Sequence, residues 1–209
     1  MKEYTKILEG YSQVHHSWMY KLVDETEWGN IDVATGYLTK YWLSDSEYES
    51  YWRDIQNAIF TNAVGLPGKI FNIDFETKVV KGGCLFTQQD FLRIQKCMLE
   101  AGDQNLIVVE NLKGEVTNEQ PFKFRFPVGI SWEEITSGNF VSSVLLESVY
   151  KEFFVFGDTS LWGMYTASDY EFPLDVIGFR VEVQDCFLEL FNPSEDEIAE
   201  IKKWIPPGY

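Results

Sequence analysis

A chain of 209 residues with 45% hydrophobic and 16% aromatic content is long and apolar enough to bury a substantial core, which excludes intrinsic disorder. Its formal charge of -16, from 33 Asp and Glu against 17 Lys and Arg, repels phosphate backbones and anionic lipid, so nucleic acid and membrane surfaces are poor partners and a basic protein is a good one. Three cysteines (Cys84, Cys97 and Cys186) lie at wide spacing without a CxxC pair or a zinc pattern, which predicts reduced thiols and a cytoplasmic location. The N-terminus shows no apolar signal-peptide core, and no stretch has the length of a bilayer span.

Residues 1–43 mix aromatics and charges without a clean period and read as a peripheral N-terminal segment. A short helix is expected over Val14–Val23 and weak strands over Asn30–Leu43, with Trp28, Tyr37, Tyr41 and Trp42 packing on the main core. From Ser44 the pattern sharpens. Ser44 and Glu47 form a capping-box signature, and Tyr48, Tyr51, Trp52, Ile55 and Ile59 recur at helical spacing, predicting one buried stripe. Gly65 is the expected stop, with Pro67 behind it.

Lys69–Phe75 alternates and predicts a strand, followed by a turn at Glu76–Lys78 and a short strand at Val79–Val80. Thr87 caps a helix expected over Gln88–Ala101, with Phe91, Ile94 and Met98 on its inner face, Cys97 beside them and Gly102 as the stop. Leu106–Val109 reads as a buried strand. Phe122, Phe124 and Phe126 alternate with Lys123 and Arg125 in a half-buried strand, and Trp132–Ile135 suits one helical turn. Val141–Val149 fits a helix or a strand equally.

The densest aromatic and glycine stretch runs over 153–179. It predicts a hairpin, with an apolar strand at Phe153–Phe156, turn chemistry at Gly157–Ser160 and a return strand at Leu161–Ala167. Beyond it, Phe179, Val181 and Val183 alternate with Arg180, Glu182 and Gln184, and Phe187–Phe191 is expected to pair as the next strand. Ser194 and Glu197 write a second capping box, and Ile198, Ile201 and Ile205 dock the last helix before Pro206-Pro207. The whole reads as one α+β domain over residues 1–209, a mainly antiparallel sheet flanked by a few helices.

Catalytic signatures are sparse. His15-His16 is an adjacent pair whose rings diverge, so it makes an awkward metal site, and the sequence has no HExxH, GxSxG, P-loop or GxGxxG. No metal and no cofactor are expected. The residues best placed to form a binding surface are Asp158, Trp162, Tyr165, Asp169 and Tyr170, all in or beside the 153–179 hairpin. Exposed Trp and Tyr make interface hot spots, and a rim of carboxylates speeds encounter with a basic partner. The same residues carry an alternative: Asp158 and Asp169 as a carboxylate pair, with Trp162, Tyr165 and Tyr170 as stacking rings for a carbohydrate.

The segments Phe153–Asp158, Trp162–Tyr165 and Leu174–Phe179 resemble the C-terminal part of bacterial SUKH-type proteins, many of which are immunity proteins against secreted toxins. The family's leucine–proline–x–x–tyrosine step is met only by Leu66-Pro67-Gly68. The resemblance implies an α+β fold and a non-enzymatic binding role, in which an acidic protein masks a basic toxin domain.

Overall fold

The computed structural model describes residues 36–37, 39–62, 65–66, 68–82, 87–111, 123–137, 152–167, 174–203 and 205. Its centre is a six-stranded sheet in the order β1-β6-β5-β4-β2-β3, with every neighbouring pair antiparallel. The strands are β1 Glu76–Lys81, β2 Asn105–Asn111, β3 Lys123–Pro127, β4 Glu152–Gly157, β5 Trp162–Ala167 and β6 Leu174–Phe179. The helices are α1 Asp45–Glu47, α2 Arg53–Ile59, α3 Gln88–Ala101, α4 Trp132–Ile135, α5 Gln184–Leu190 and α6 Glu195–Ile201. The α+β reading holds, and no described helix is long and apolar enough to cross a membrane.

Every residue of β4, β5 and β6 is buried, because both faces of the sheet are covered. On one face Phe153, Val155, Trp162, Met164, Ile177 and Phe179 meet Phe91, Ile94 and Met98 of α3 and Phe187 of α5. On the other, Phe154, Phe156, Tyr165 and Val176 meet Trp52, Ile59, Phe60, Ile70 and Phe71. A strand covered on both sides gains nothing from polar alternation, so these strands read as apolar runs.

Two paired glycines set the depth of the second face. Gly163 and Gly178 are directly opposite in the β5–β6 register. A Cβ on Gly163 would lie 2.6 Å from Ile59 Cγ2 and 2.6 Å from Phe60 Cζ, and one on Gly178 would lie 2.3 Å from the Phe71 ring. The dent these glycines leave admits all three side chains. Thr61 N donates to Ile70 O at 2.7 Å and Asn72 N to Ile59 O at 3.0 Å, which holds the 59–61 and 70–72 segments together over that dent.

Several expectations are corrected here. Lys69–Phe75 is not a strand: residues 73–74 turn, Phe75 N donates to Asn72 O, and Ile73 is 91% exposed. The Asn72 amide instead donates to Asn57 O and Ala58 O, two carbonyls that the end of α2 leaves without helical partners. Glu76–Lys78, expected as a turn, begins the edge strand β1. The 44–59 helix carries a π-helical turn at Tyr48–Trp52 between α1 and α2, which rotates Tyr51 out to 56% exposure while Tyr48, Trp52 and Ile59 stay buried. It ends at Ile59, short of Gly65, as Phe60 turns extended. Val181–Val183 is a 3-10 turn and the following residues form α5, in place of two strands, so Cys186 and Phe187 point inward from a helix. Residues 36–37 and 39–41 are helical rather than extended, although Tyr37 and Tyr41 do join the core as expected. The expectations for Val14–Val23, Trp28, Phe122 and Val141–Val149 fall outside the described residues.

Replacing Gly163 or Gly178 with Ala should force Ile59, Phe60 or Phe71 off the sheet and destabilise the protein by about 1–3 kcal/mol. Urea unfolding reads this as a lower midpoint at unchanged slope. An unchanged midpoint would mean that the second face is loosely packed.

Candidate functional site

The hairpin turn and the end of α3 are built as one unit. Thr87 Oγ1 accepts from Asp90 N, Gly102 closes the helix in a left-handed conformation (φ 84°), and the chain passes at once into β2. That sharp stop sets Asp103 beneath the β4–β5 turn. Its carboxylate accepts from Trp162 Nε1 at 2.6 Å and from Thr159 N at 2.8 Å. Gly157 makes the approach possible, since a Cβ there would sit 2.2 Å from the Asp103 carboxyl carbon.

Asp158 clasps the same junction from the hairpin side. Its two oxygens accept from Gln104 N and Asn105 Nδ2, each at 2.8 Å. A reciprocal pair of aspartates therefore fastens α3 and β2 to β4 and β5. Asp103 is 1% exposed, and burial, reinforced by the Asp158 charge, raises its carboxyl above the ordinary value of 3.8 despite its two donors.

Of the five residues expected to form a surface, Asp158 and Trp162 do come together, but as structural partners of the Asp103–Asn105 turn. Trp162 is 0% exposed and packs against Phe187 with ring centroids 5.7 Å apart. Tyr165 is also 0% exposed and packs on Phe154 at 5.2 Å, on the opposite face of the sheet. The expectation of exposed hot spots or sugar-stacking rings at Trp162 and Tyr165 is therefore corrected. Three residues apart on one strand, the two rings face away from each other, and each is drawn into a core. Asp169 and Tyr170 lie outside the described residues.

Sequence reading missed a second polar cluster at the far end of the sheet. Glu110, Phe153, Thr166, Asp175 and Val80 share one cross-strand row, and Asn111, Glu152, Ala167, Leu174 and Lys81 share the next. Asn111 Nδ2 donates to Tyr165 Oη at 2.9 Å and to Glu152 Oε2 at 3.4 Å. Gly65 roofs this group, with a Cβ position only 2.7 Å from Tyr165 Oη. Glu152, Thr166 and Asp175 are buried charged or polar groups on three neighbouring strands. The register and the alternation of side chains divide them between the two faces: Glu152 lies with Asn111 and Tyr165 on the Phe154 side, and Thr166 and Asp175 lie with Glu110 on the Phe153 side. Among the described residues no group of three or more His, Cys, Asp or Glu could hold a metal ion.

The thiols behave as core. Cys97 of α3 and Cys186 of α5 are free, buried and part of one core cluster. Burial pushes both thiols above their ordinary value, which disfavours the reactive thiolate.

The outer side of the same two helices is different in character. Leu92 and Leu99 of α3, Leu188 of α5 and Val181 of the 3-10 turn are 48%, 59%, 37% and 68% exposed. Lys96 lies between the two α3 leucines and reaches Glu100 at 3.9 Å and Glu189 at 3.6 Å. This layer holds most of the exposed large apolar side chains among the described residues.

No protein-family model, curated protein or solved structure matches this chain.

Two outcomes are expected from this geometry. An Asp with a raised folded pKa binds its proton more tightly when folded, so its contribution is fully present below the unfolded pKa and is lost as pH rises through the folded one. The stability of wild type relative to Asp103→Asn should therefore fall as pH climbs from below 3.8 through that raised value. Urea midpoints of both proteins measured from about pH 3 to about pH 8 check this, and parallel profiles would contradict it. In a Cys84→Ser background, Cys97 and Cys186 should react with Ellman's reagent only at the rate of unfolding; prompt labelling of the native protein would show that the α3–α5 seam is open.

Proposed function

We infer that this chain is a non-enzymatic acidic binding protein whose partner is a basic protein, with a toxin domain held inactive by an immunity protein as the specific form the SUKH-type resemblance suggests. The observation that carries the reading is the acidic surplus, 33 acidic against 17 basic residues, and the way the helices display it. The first turns of α1 to α6 all carry Asp or Glu, and none of their last turns carries a basic residue. Apart from α6, which runs into Lys202 and Lys203, the helices add negative charge without a basic residue in their last turns to offset it. Such a field raises the encounter rate with a cationic partner and disfavours acidic competitors.

The mechanism is occlusion. An acidic surface laid over the cationic groups by which a toxin domain holds its own target would compete directly for them. Inhibition of this kind needs complementary charge, a rigid presenting surface and no reacting group. The sheet buried on both faces supplies the rigidity.

Affinity capture from a lysate of the source cell on the immobilised full chain tests this reading. A basic protein should be retained at about 0.05 M salt and released near 1 M, where the screening length falls to roughly 3 Å. Retention that ignores salt, or retention of acidic proteins alone, would contradict it.

A further inference from the structure

We propose that the outer face of α3 and α5, with the Val181–Val183 turn between them, is the docking surface for a basic amphipathic segment of the partner protein; this rests on the binding role inferred above. Leu92 and Leu99 are seven residues apart and so share one stripe of α3. On α5 the exposed positions Asp185, Leu188 and Glu189 fall at i, i+3 and i+4 and form a second stripe. The contact of Lys96 with Glu189 at 3.6 Å joins the two stripes across the seam. Below them Cys97 and Cys186 are buried in the same core cluster and the Phe187 ring packs against Trp162, so the face is presented on a packed base.

Charge decides what covers it. The exposed carboxylates of this face are Glu100, Glu182, Asp185 and Glu189, and Lys96 is already engaged with two of them. Glu182 and Asp185 form no ion pair among the described residues. A second copy of this chain would bring the same carboxylates against them, so self-association through this face is opposed by like charge. A segment with leucine-like side chains on one side and Lys or Arg on its flanks satisfies both the apolar stripe and its acidic border. Helix-in-groove recognition of an amphipathic peptide works in this way.

The test uses the full chain and fluorescence anisotropy of two labelled probes, an amphipathic Leu/Lys peptide and its Leu/Glu counterpart. Wild type should bind the Leu/Lys probe at low salt and ignore the Leu/Glu one. Leu92→Ser combined with Leu99→Ser, both solvent-exposed so that the fold is retained by circular dichroism, should weaken binding about tenfold or more, the equivalent of roughly 1.4 kcal/mol. Glu182→Gln with Asp185→Asn should weaken binding and flatten its salt dependence, while Ile73→Ser, at an exposed apolar residue elsewhere, should change nothing. If the leucine pair binds the Leu/Lys probe as tightly as wild type does, this face is wrong while the acidic binding role stands. If wild type fails to bind the probe at all, both readings fail. Self-association of wild type in sedimentation velocity that the leucine pair abolishes would assign the face to a second copy and overturn the proposal.

Discussion

The close approach of two layers at Gly163 and Gly178 is the constraint on which the rest of the structure depends. Without side chains at this one paired position, Ile59, Phe60 and Phe71 settle into the sheet rather than riding above it. Their seating brings the end of α2 and the 68–75 segment onto the sheet. It is what allows β4, β5 and β6 to be buried on both faces. The edges are less deeply covered. Pairing of Trp42 with Phe124 and the Leu43 N–H to Lys123 O bond shield β3, while ion pairs of Lys123 with Asp45 and Arg125 with Glu47 tie that strand to the first helical turn.

The opposite layer is fixed by electrostatics as much as by packing. Asp103 and Asp158 reach across the same junction in opposite directions, so the position of α3 is coupled to the β4–β5 turn at its C-terminal end. Its middle is held by Gln95, whose amide donates to Val128 O and Ile130 O, each at 2.7 Å. A helix held at two points and packed on α5 has little freedom to repack its outer side. The exposed leucines there are thus carried on a stiff support, a state in which binding need not first order the surface.

Elements with local punctuation were legible in the sequence. Thr87, Gly102 and the capping box of Ser194 with Glu197 mark helix ends through side chain to backbone bonds made within one turn, and α3 and α6 fall where those signals place them. The Ser44 cap is present too, but Glu47 pairs with Arg125 instead of closing the box. Short alternating segments misled. Val181–Val183 and Lys69–Phe75 have the period of a strand, yet the first closes into a 3-10 turn, and the second makes only the isolated bridge of Phe71 with Phe60 before residues 73–74 turn. Trp162 and Tyr165 were misread for a related reason. They look like surface rings only if β5 has one solvated face, and a second covering layer, invisible in any local window, removes it. Leu92 and Leu99 sit on the polar side of the α3 period, a departure that the sequence itself contains.

Strands β4, β5 and β6 are a closed scaffold buried on both faces, and the inferred recognition is assigned to the surface around them. Native-state hydrogen exchange followed by mass spectrometry tests it most directly. Amides of 152–157, 162–167 and 174–179 should exchange only through global unfolding, with one common free energy that denaturant lowers in step with overall stability. Exchange of these strands through local opening, while α3 and α5 stay protected, would show the hairpin to be a mobile functional element and would contradict the account.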